Sequence, residues 1–135
     1  MSSVQVFRYK ADRLPVALVV LLFALDLWVY FSASSLTPIL CWIPFSFLVK
    51  CFFAAWNHHH QHVNTFRQVW LNRLLEIIYT FHTGVSTNVW VLHHNLGHHL
   101  NYLDQSKDES GWMRSDGKTM GVLEYTFVIA ATGYY

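Results

Sequence analysis

Two long apolar runs dominate the first half of the chain. Leu14–Ala33 and Leu36–Trp56 are each close to the ~20 residues that an α-helix needs to cross a hydrocarbon core of ~30 Å, and each contains a single charged residue. Only Ser34 and Ser35 separate the two runs, so the helices must form a tight antiparallel hairpin. The pattern predicts two transmembrane helices, over residues 14–33 and 36–56.

Basic residues flank this hairpin and are absent from its turn. They are Arg8, Lys10 and Arg13 before it and Arg67 and Arg73 after it. Because cytoplasmic segments of membrane proteins carry the excess of Lys and Arg, we expect both ends of the hairpin to face the cytoplasm.

Each predicted span contains one charged side chain. A carboxylate at the depth of Asp26 costs roughly 2.5–3.5 kcal/mol unless it is protonated or faces other helices, so Asp26 is predicted to face inward. Lys50 lies close enough to the end of the second span for its stem to extend toward the interface.

Shorter segments follow over residues 57–119. Apolar residues at helical spacing predict an amphipathic helix on the membrane surface; they are Trp70, Leu74, Ile77, Ile78 and Phe81. Its opposite side would carry Asn72, Arg73 and Glu76. Gly84 interrupts this helix, and a short helical segment begins at Thr87.

The last part of the chain is first polar and then apolar. Residues 101–119 have a loop composition, and we expect their acidic side chains to be solvated; these are Asp104, Asp108, Glu109 and Asp116. Residues 122–135 resemble the start of a third membrane helix. A hydrophobic run that stops partway indicates a fragment of a longer protein.

The composition agrees with a membrane protein and excludes other classes. The chain is 53% hydrophobic, 17% aromatic and 13% charged, which departs from a soluble average. Its formal charge is only +1, and its basic residues are scattered, which excludes a nucleic-acid partner. Cys41 and Cys51 lie in an apolar run, so a disulfide framework or a cysteine zinc site is not indicated. We therefore expect an all-α integral membrane fold: a transmembrane hairpin, then cytoplasmic or interfacial helices.

Eight of the nine histidines fall into two clusters. The first contains His58, His59, His60 and His62, where the second span leaves the bilayer. If that helix continues, His58 and His62 share one face and can bind a metal ion together. His59 also lies three residues from His62, so the choice of ligands stays open.

The second cluster contains His93, His94, His98 and His99. In an α-helix His94 and His98 would share a face, while His99 would point in another direction, toward a second metal ion. Imidazole binds iron, copper, zinc and nickel alike, so the ligands alone do not identify the metal. The isolated His82 is predicted to be an interfacial or hydrogen-bonded side chain.

Other catalytic motifs are absent from the sequence. There is no Gly-x-Ser-x-Gly elbow, no phosphate-binding Gly-rich loop with Lys-Ser/Thr and no His-Glu-x-x-His motif. The Glu-x-x-His pairs of soluble di-iron bundles are also missing. An all-imidazole site at a membrane surface remains.

The predicted hairpin is followed by a His-x-x-x-His box and, about thirty residues later, by a His-x-x-x-His-His box. This arrangement resembles the membrane fatty acid desaturase superfamily. The resemblance implies that the iron ligands are His58, His62, His94, His98 and His99, with His59, His60 and His93 as further candidates. Family members have a third box, His-x-x-His-His, further downstream. Residues 1–135 do not contain it, so the isolated chain is expected to lack a full ligand set and to be inactive.

The same resemblance implies the reaction. Two iron ions and O2 would remove hydrogen from a fatty acyl chain to give an alkene. Hydroxylases of the superfamily use the same boxes and give an alcohol, so hydroxylation is the alternative. The chain has no flavin, haem or iron–sulfur motif, so electrons would come from a ferredoxin, rubredoxin or cytochrome b5-type donor.

A different class is a non-catalytic membrane metal-binding protein, such as part of a zinc or nickel transporter. Paired ionisable residues within the membrane spans would distinguish it. In the sequence, Asp26 alone supports that interpretation.

Overall fold

The computed structural model describes residues 5–108 and 110–132, and the regular structure in these ranges is helical. The chain forms two compact units, Met1–Thr87 and Asn88–Tyr135, which are described separately. The helices are α1 (Arg13–Ser32), α2 (Leu36–His62), α3 (Val69–Thr83), α4 (Thr87–Trp90), α5 (His99–Asn101) and α6 (Val122–Thr132), with a 3-10 turn at Lys10–Asp12 and a π-helix at Val91–His98.

Helices α1 and α2 form the predicted hairpin. They contain 20 and 27 residues, and both are long and apolar enough to cross a membrane by length and composition. The start of α2 agrees with the sequence prediction, but the helix continues beyond Trp56 to His62 and includes the first histidine cluster. Only 17% of the apolar stretch of the first helix is buried inside the protein, and only 11% of the apolar stretch of the second. Most of this apolar surface therefore faces outward.

Helix α3 packs against both α1 and α2, and the prediction of a helix here is confirmed. Its buried residues are Asn72, Leu75, Tyr79 and His82, whereas the large apolar residues Trp70, Leu74, Ile77 and Phe81 are exposed. Asn72 lies opposite these exposed apolar residues, as predicted, and it is this opposite side that is buried at Asn72. Its side chain accepts a hydrogen bond from Phe66 N–H (2.8 Å) and donates to Phe66 O (3.0 Å), which fixes the turn between α2 and α3.

A small core holds the first unit together. It consists of Val16, Val19, Leu22, Phe53, Phe66, Leu75 and Tyr79. The segment before α1 pairs with the turn after α2, because Arg8 N–H donates to Thr65 O (2.8 Å) and Arg67 N–H donates to Val6 O (3.0 Å). Backbone hydrogen bonds thus join the segment before α1 to the segment after α2.

Glycine ends α3, as the sequence indicated. Gly84 has φ of 72° and its N–H donates to Thr80 O at 2.9 Å. Side chains disfavour this left-handed conformation, which explains why the helix stops at a glycine.

The second unit contains the π-helix, the polar loop and α6. The loop is a series of hydrogen-bonded turns, closed by an isolated bridge between Met113 and Thr119. Helix α6 begins at Val122, where the sequence predicts an apolar helix, and is described to Thr132. Residues 133–135 of that predicted helix lie outside the described residues.

Candidate metal centre

The end of α2 brings two histidines of the first box together. Since the helix continues to His62, His58 and His62 lie four residues apart on one face. Their ring centroids are 4.8 Å apart, and one ring nitrogen from each lies within 4.8 Å of the other. The two side chains therefore share one face of α2, as the sequence predicts for a helix that continues past Trp56.

His60, a candidate ligand from the sequence, faces the protein interior instead. Its side chain is only 1% exposed, its Nδ1 lies 2.9 Å from Thr65 Oγ1, and its Nε2 lies 3.7 Å from Glu76 Oε1. These contacts fit a structural role in the turn after α2. His59, the other candidate in this box, is exposed.

The second box is not α-helical. Residues Val91–His98 form a π-helix, and His99 N–H donates to His94 O, five residues back. Such i→i+5 segments are rare and occur frequently at functional sites. The wider turn aligns residues five apart, so the prediction that His99 points away from His94 was wrong. His93, the remaining candidate in this box, is half-buried.

Three rings of the second box therefore form one cluster. The ring centroids of His94 lie 4.6 Å from those of His99 and 5.5 Å from those of His98, and His98 and His99 are 5.4 Å apart. The Nε2 atoms of His94 and His99 face each other at 3.1 Å. When one of these nitrogens carries a proton, it donates a hydrogen bond to the other. When neither does, the two lone pairs could bind one cation.

That 3.1 Å separation also fits metal binding. With metal–nitrogen bonds of about 2.0–2.1 Å and bond angles between about 90° and 109°, two imidazole nitrogens on one ion lie about 2.9–3.4 Å apart. The separation of His94 Nε2 and His99 Nε2 is within this range. These residues are therefore already placed as a pair that could hold a first-row transition metal.

His98 is held by an acidic residue that sequence reasoning treated as solvated. Its Nδ1 lies 2.9 Å and 3.0 Å from the two carboxylate oxygens of Asp108, and Asp108 is only 6% exposed. Burial raises the pKa of Asp108, but hydrogen bonds from His98 and Ser110 outweigh it and hold the pKa below its ordinary value. The side chains of Asp104 and Asp116 are solvated as predicted, at 41% and 52% exposure; Glu109 lies outside the described residues.

A second polar group lies in the first unit, away from the histidine boxes. Asp26 faces inward as predicted, and its carboxylate accepts a hydrogen bond from Trp42 Nε1 at 2.7 Å. Lys50 Nζ lies 2.9 Å from Asp26 Oδ2, so the prediction that Lys50 extends toward the interface was wrong. A cavity of about 410 Å³ adjoins this pair and is otherwise lined mainly by aromatic and aliphatic side chains.

His82 completes that group. Its Nε2 donates to Val19 O at 3.0 Å, and its Nδ1 lies 3.5 Å from Asp26 Oδ2. The rings of Phe23 and Phe53 pack edge-on against it. The prediction that His82 is a hydrogen-bonded side chain is confirmed, and its burial makes it part of the core.

Comparison with known proteins adds no further constraint. No protein-family model matches the chain, and no curated protein or solved structure matches it significantly. The functional interpretation therefore depends on the residues themselves and on the geometry within each unit.

Proposed function

We propose that this chain belongs to a membrane-bound, histidine-ligated di-iron enzyme that uses O2 to desaturate a fatty acyl chain. The observation that carries the proposal is the π-helix of the second box, which places the Nε2 atoms of His94 and His99 3.1 Å apart. The box spacing and its resemblance to membrane desaturases support iron in preference to other metals that imidazole binds.

A membrane location is supported by the outward-facing apolar surface of the hairpin. A core helix of a soluble protein is mostly buried, whereas most of the α1 and α2 surface is not. The exposed side chains of α3, such as Trp70 and Phe81, extend the same surface. Large contiguous apolar surfaces of this kind need a partner, and lipid provides one along the whole hairpin.

The roles of the residues follow from their positions. His58 and His62 from α2, and His94, His98 and His99 from the second box, would hold the metal ions. When bound, a pair of iron ions supplies with O2 the oxidising power needed to break an unactivated C–H bond. Because imidazole is a neutral ligand, these residues would leave the positive charge of the ions uncompensated.

The exposed apolar surface would deliver the substrate from the bilayer. Acyl chains of membrane lipids lie beside α1 and α2, and α2 ends in the first box. A substrate tail could therefore approach the metal ions along α2 without crossing water. An external donor such as a ferredoxin, rubredoxin or cytochrome b5-type protein would supply the electrons.

The test is production of unsaturated lipid by the protein encoded by the complete gene. It should be expressed in a bacterial host that forms no double bonds under the growth conditions, with a matching electron donor. Gas chromatography with mass spectrometry of the fatty acids should show an unsaturated product only in air and not with His94→Ala. A hydroxylated product instead would identify the enzyme as a hydroxylase. The absence of both products would contradict an oxidative function.

A second candidate is a non-catalytic membrane metal-binding protein, because Asp26 and Lys50 form an ion pair between the two apolar helices. Intramembrane ionisable residues commonly mark ion pathways, and the cavity beside the pair is compatible with one. Uptake of zinc or nickel into vesicles containing the protein, lost in Asp26→Asn, would favour this function. Lipid oxidation with no metal uptake would exclude it.

A further inference from the structure

Asp108 differs from the other described acidic residues of its loop because it is buried against a histidine. Although the whole residue is 6% exposed, the Asp108 side chain that pairs with His98 is fully buried. Asp104 and Asp116, by contrast, pair with the solvent-exposed Lys107 and Lys118. A buried carboxylate is stable only when its oxygens are well satisfied, so its environment must be built for it.

Ser110, Gly111 and Tyr125 provide that environment. Ser110 donates to Asp108 Oδ1 from both its backbone N–H (2.9 Å) and its hydroxyl (2.8 Å). Gly111 N–H donates to Asp108 O at 2.9 Å, and a Cβ on Gly111 would lie 3.1 Å from that same oxygen. Tyr125, in α6, donates from its hydroxyl to Ser110 O at 3.2 Å. The carboxylate is therefore held in a fixed orientation.

A fixed carboxylate decides which nitrogen of His98 carries the proton. An ionised carboxylate can only accept hydrogen bonds, and both of its oxygens lie within 3.0 Å of His98 Nδ1. The Nδ1 must therefore be the donor, and the lone pair of the neutral ring is then on Nε2. The same nitrogen, Nε2, is the atom by which His94 and His99 face each other.

We propose that Asp108, supported by Ser110, is a positioning residue that holds His98 as the Nδ1–H tautomer, so that Nε2 binds the metal. This inference rests on the proposed metal function of the second box. Carboxylates bonded to the outer nitrogen of a metal-binding histidine orient the ring and raise its basicity. Asp108 acts through His98 and does not itself touch the metal or the substrate.

The test uses the protein encoded by the complete gene, in detergent, with Co²⁺ as the probe, since the visible absorption of Co²⁺ reports nitrogen coordination. Asp108→Ala should weaken Co²⁺ binding by about 10- to 100-fold, the usual effect of losing such a partner. Ser110→Ala removes only the hydroxyl and should weaken binding less. Asp104→Asn, an exposed carboxylate of the same loop, is the matched control and should bind like the wild type.

A second readout is the tautomer of His98 without metal, from long-range proton–nitrogen correlation spectra of histidine-labelled protein. The wild type should show a protonated Nδ1 on His98, and Asp108→Ala should shift the ring toward a protonated Nε2. Ser110→Ala keeps the carboxylate but removes the hydroxyl that lies 2.7 Å from His98 Nδ1, so it should shift the ring in the same direction by a smaller amount. A purely structural role for Asp108 would not require this change. Far-UV circular dichroism identifies any variant that fails to fold, in which case Ser110→Ala decides the matter.

The outcomes separate the inference from the proposed function. If Asp108→Ala and Ser110→Ala fold, bind Co²⁺ as tightly as the wild type and keep the tautomer, the positioning role is overturned while the metal site stands. If the wild type binds no Co²⁺, the proposed function fails, and the inference that depends on it fails as well.

Discussion

Replacing Lys50 by methionine would leave Asp26 without its cation between two apolar helices. The two side chains are only 24% and 22% exposed and are joined at 2.9 Å. Removing one partner of a buried ion pair costs roughly 3–5 kcal/mol, and partial exposure reduces this to about 2–3 kcal/mol. At about 4 °C per kcal/mol for a chain of this size, the melting temperature should fall by about 8–12 °C.

The double variant Asp26→Leu/Lys50→Met sharpens this prediction. It removes both charges from apolar surroundings, where replacing an ion pair by apolar residues is often neutral. It also removes the hydrogen bond from Trp42, worth about 1 kcal/mol. The double variant should therefore be more stable than Lys50→Met alone, by about 1–2 kcal/mol.

Thermal unfolding in detergent, followed by far-UV circular dichroism, measures these differences. Lys107→Met is a matched control, because Lys107 also lies 2.9 Å from its carboxylate partner, Asp104, but with a side chain that is 67% exposed. It should not shift the melting temperature measurably. A Lys50→Met variant that melts like the Lys107→Met control would refute the inferred role of the pair.

Three further predictions concern the first unit. Burial lowers the pKa of His82 more than the Val19 carbonyl and Asp26 raise it. Because the unfolded chain then binds the proton more readily, stability should be lost as pH falls below about 6.5. The melting temperature of His82→Gln should therefore depend less on pH than that of the wild type. Asn72→Ala removes the side-chain partner of Phe66 N–H and Phe66 O, and the free energy of unfolding in urea should fall by about 1–3 kcal/mol. A fall under about 0.5 kcal/mol would contradict the inference that Asn72 stabilises this turn. Gly84→Ala should lower the free energy of unfolding by about 1 kcal/mol, whereas Gly121→Ala should change it little. Both positions have room for a Cβ, but only Gly84 has a positive φ. Equal losses in the two variants would exclude backbone strain at Gly84 as the cause.

Much of the first unit could be predicted because hydrophobic length and periodicity encode it. The two apolar runs and the short Ser34–Ser35 link determined the hairpin, and spacing located α3. Which side of α3 is buried was not encoded in the same way. Amphipathicity shows that a helix has two faces, but a surrounding membrane can accept the apolar face, which leaves Asn72 and His82 to pack inward.

The pairing of Asp26 with Lys50 escaped prediction for a geometric reason. In a hairpin that turns at residues 34 and 35, the residue level with Asp26 is near position 43, which explains the contact with Trp42. Lys50 lies about 10 Å further along α2 at 1.5 Å per residue. Only its long side chain, extended toward the carboxylate, closes that distance.

The second box shows the limit of spacing arguments at the site itself. Sequence reasoning assumed an α-helix, in which residues four apart share a face. The π-helix instead pairs His94 with His99, and no simple sequence pattern distinguishes these two geometries. The burial of Asp108 was also hidden, because a polar loop composition does not reveal a turn folded back on His98.

The most direct test of the central claim is the iron content of the purified protein encoded by the complete gene, measured by elemental analysis together with Mössbauer spectroscopy after enrichment with ⁵⁷Fe. The wild type should contain a coupled pair of high-spin iron ions. This pair should be lost or strongly reduced in His94→Ala and His99→Ala but retained in folded His82→Gln. Iron content in His94→Ala and His99→Ala equal to that of the wild type would contradict it.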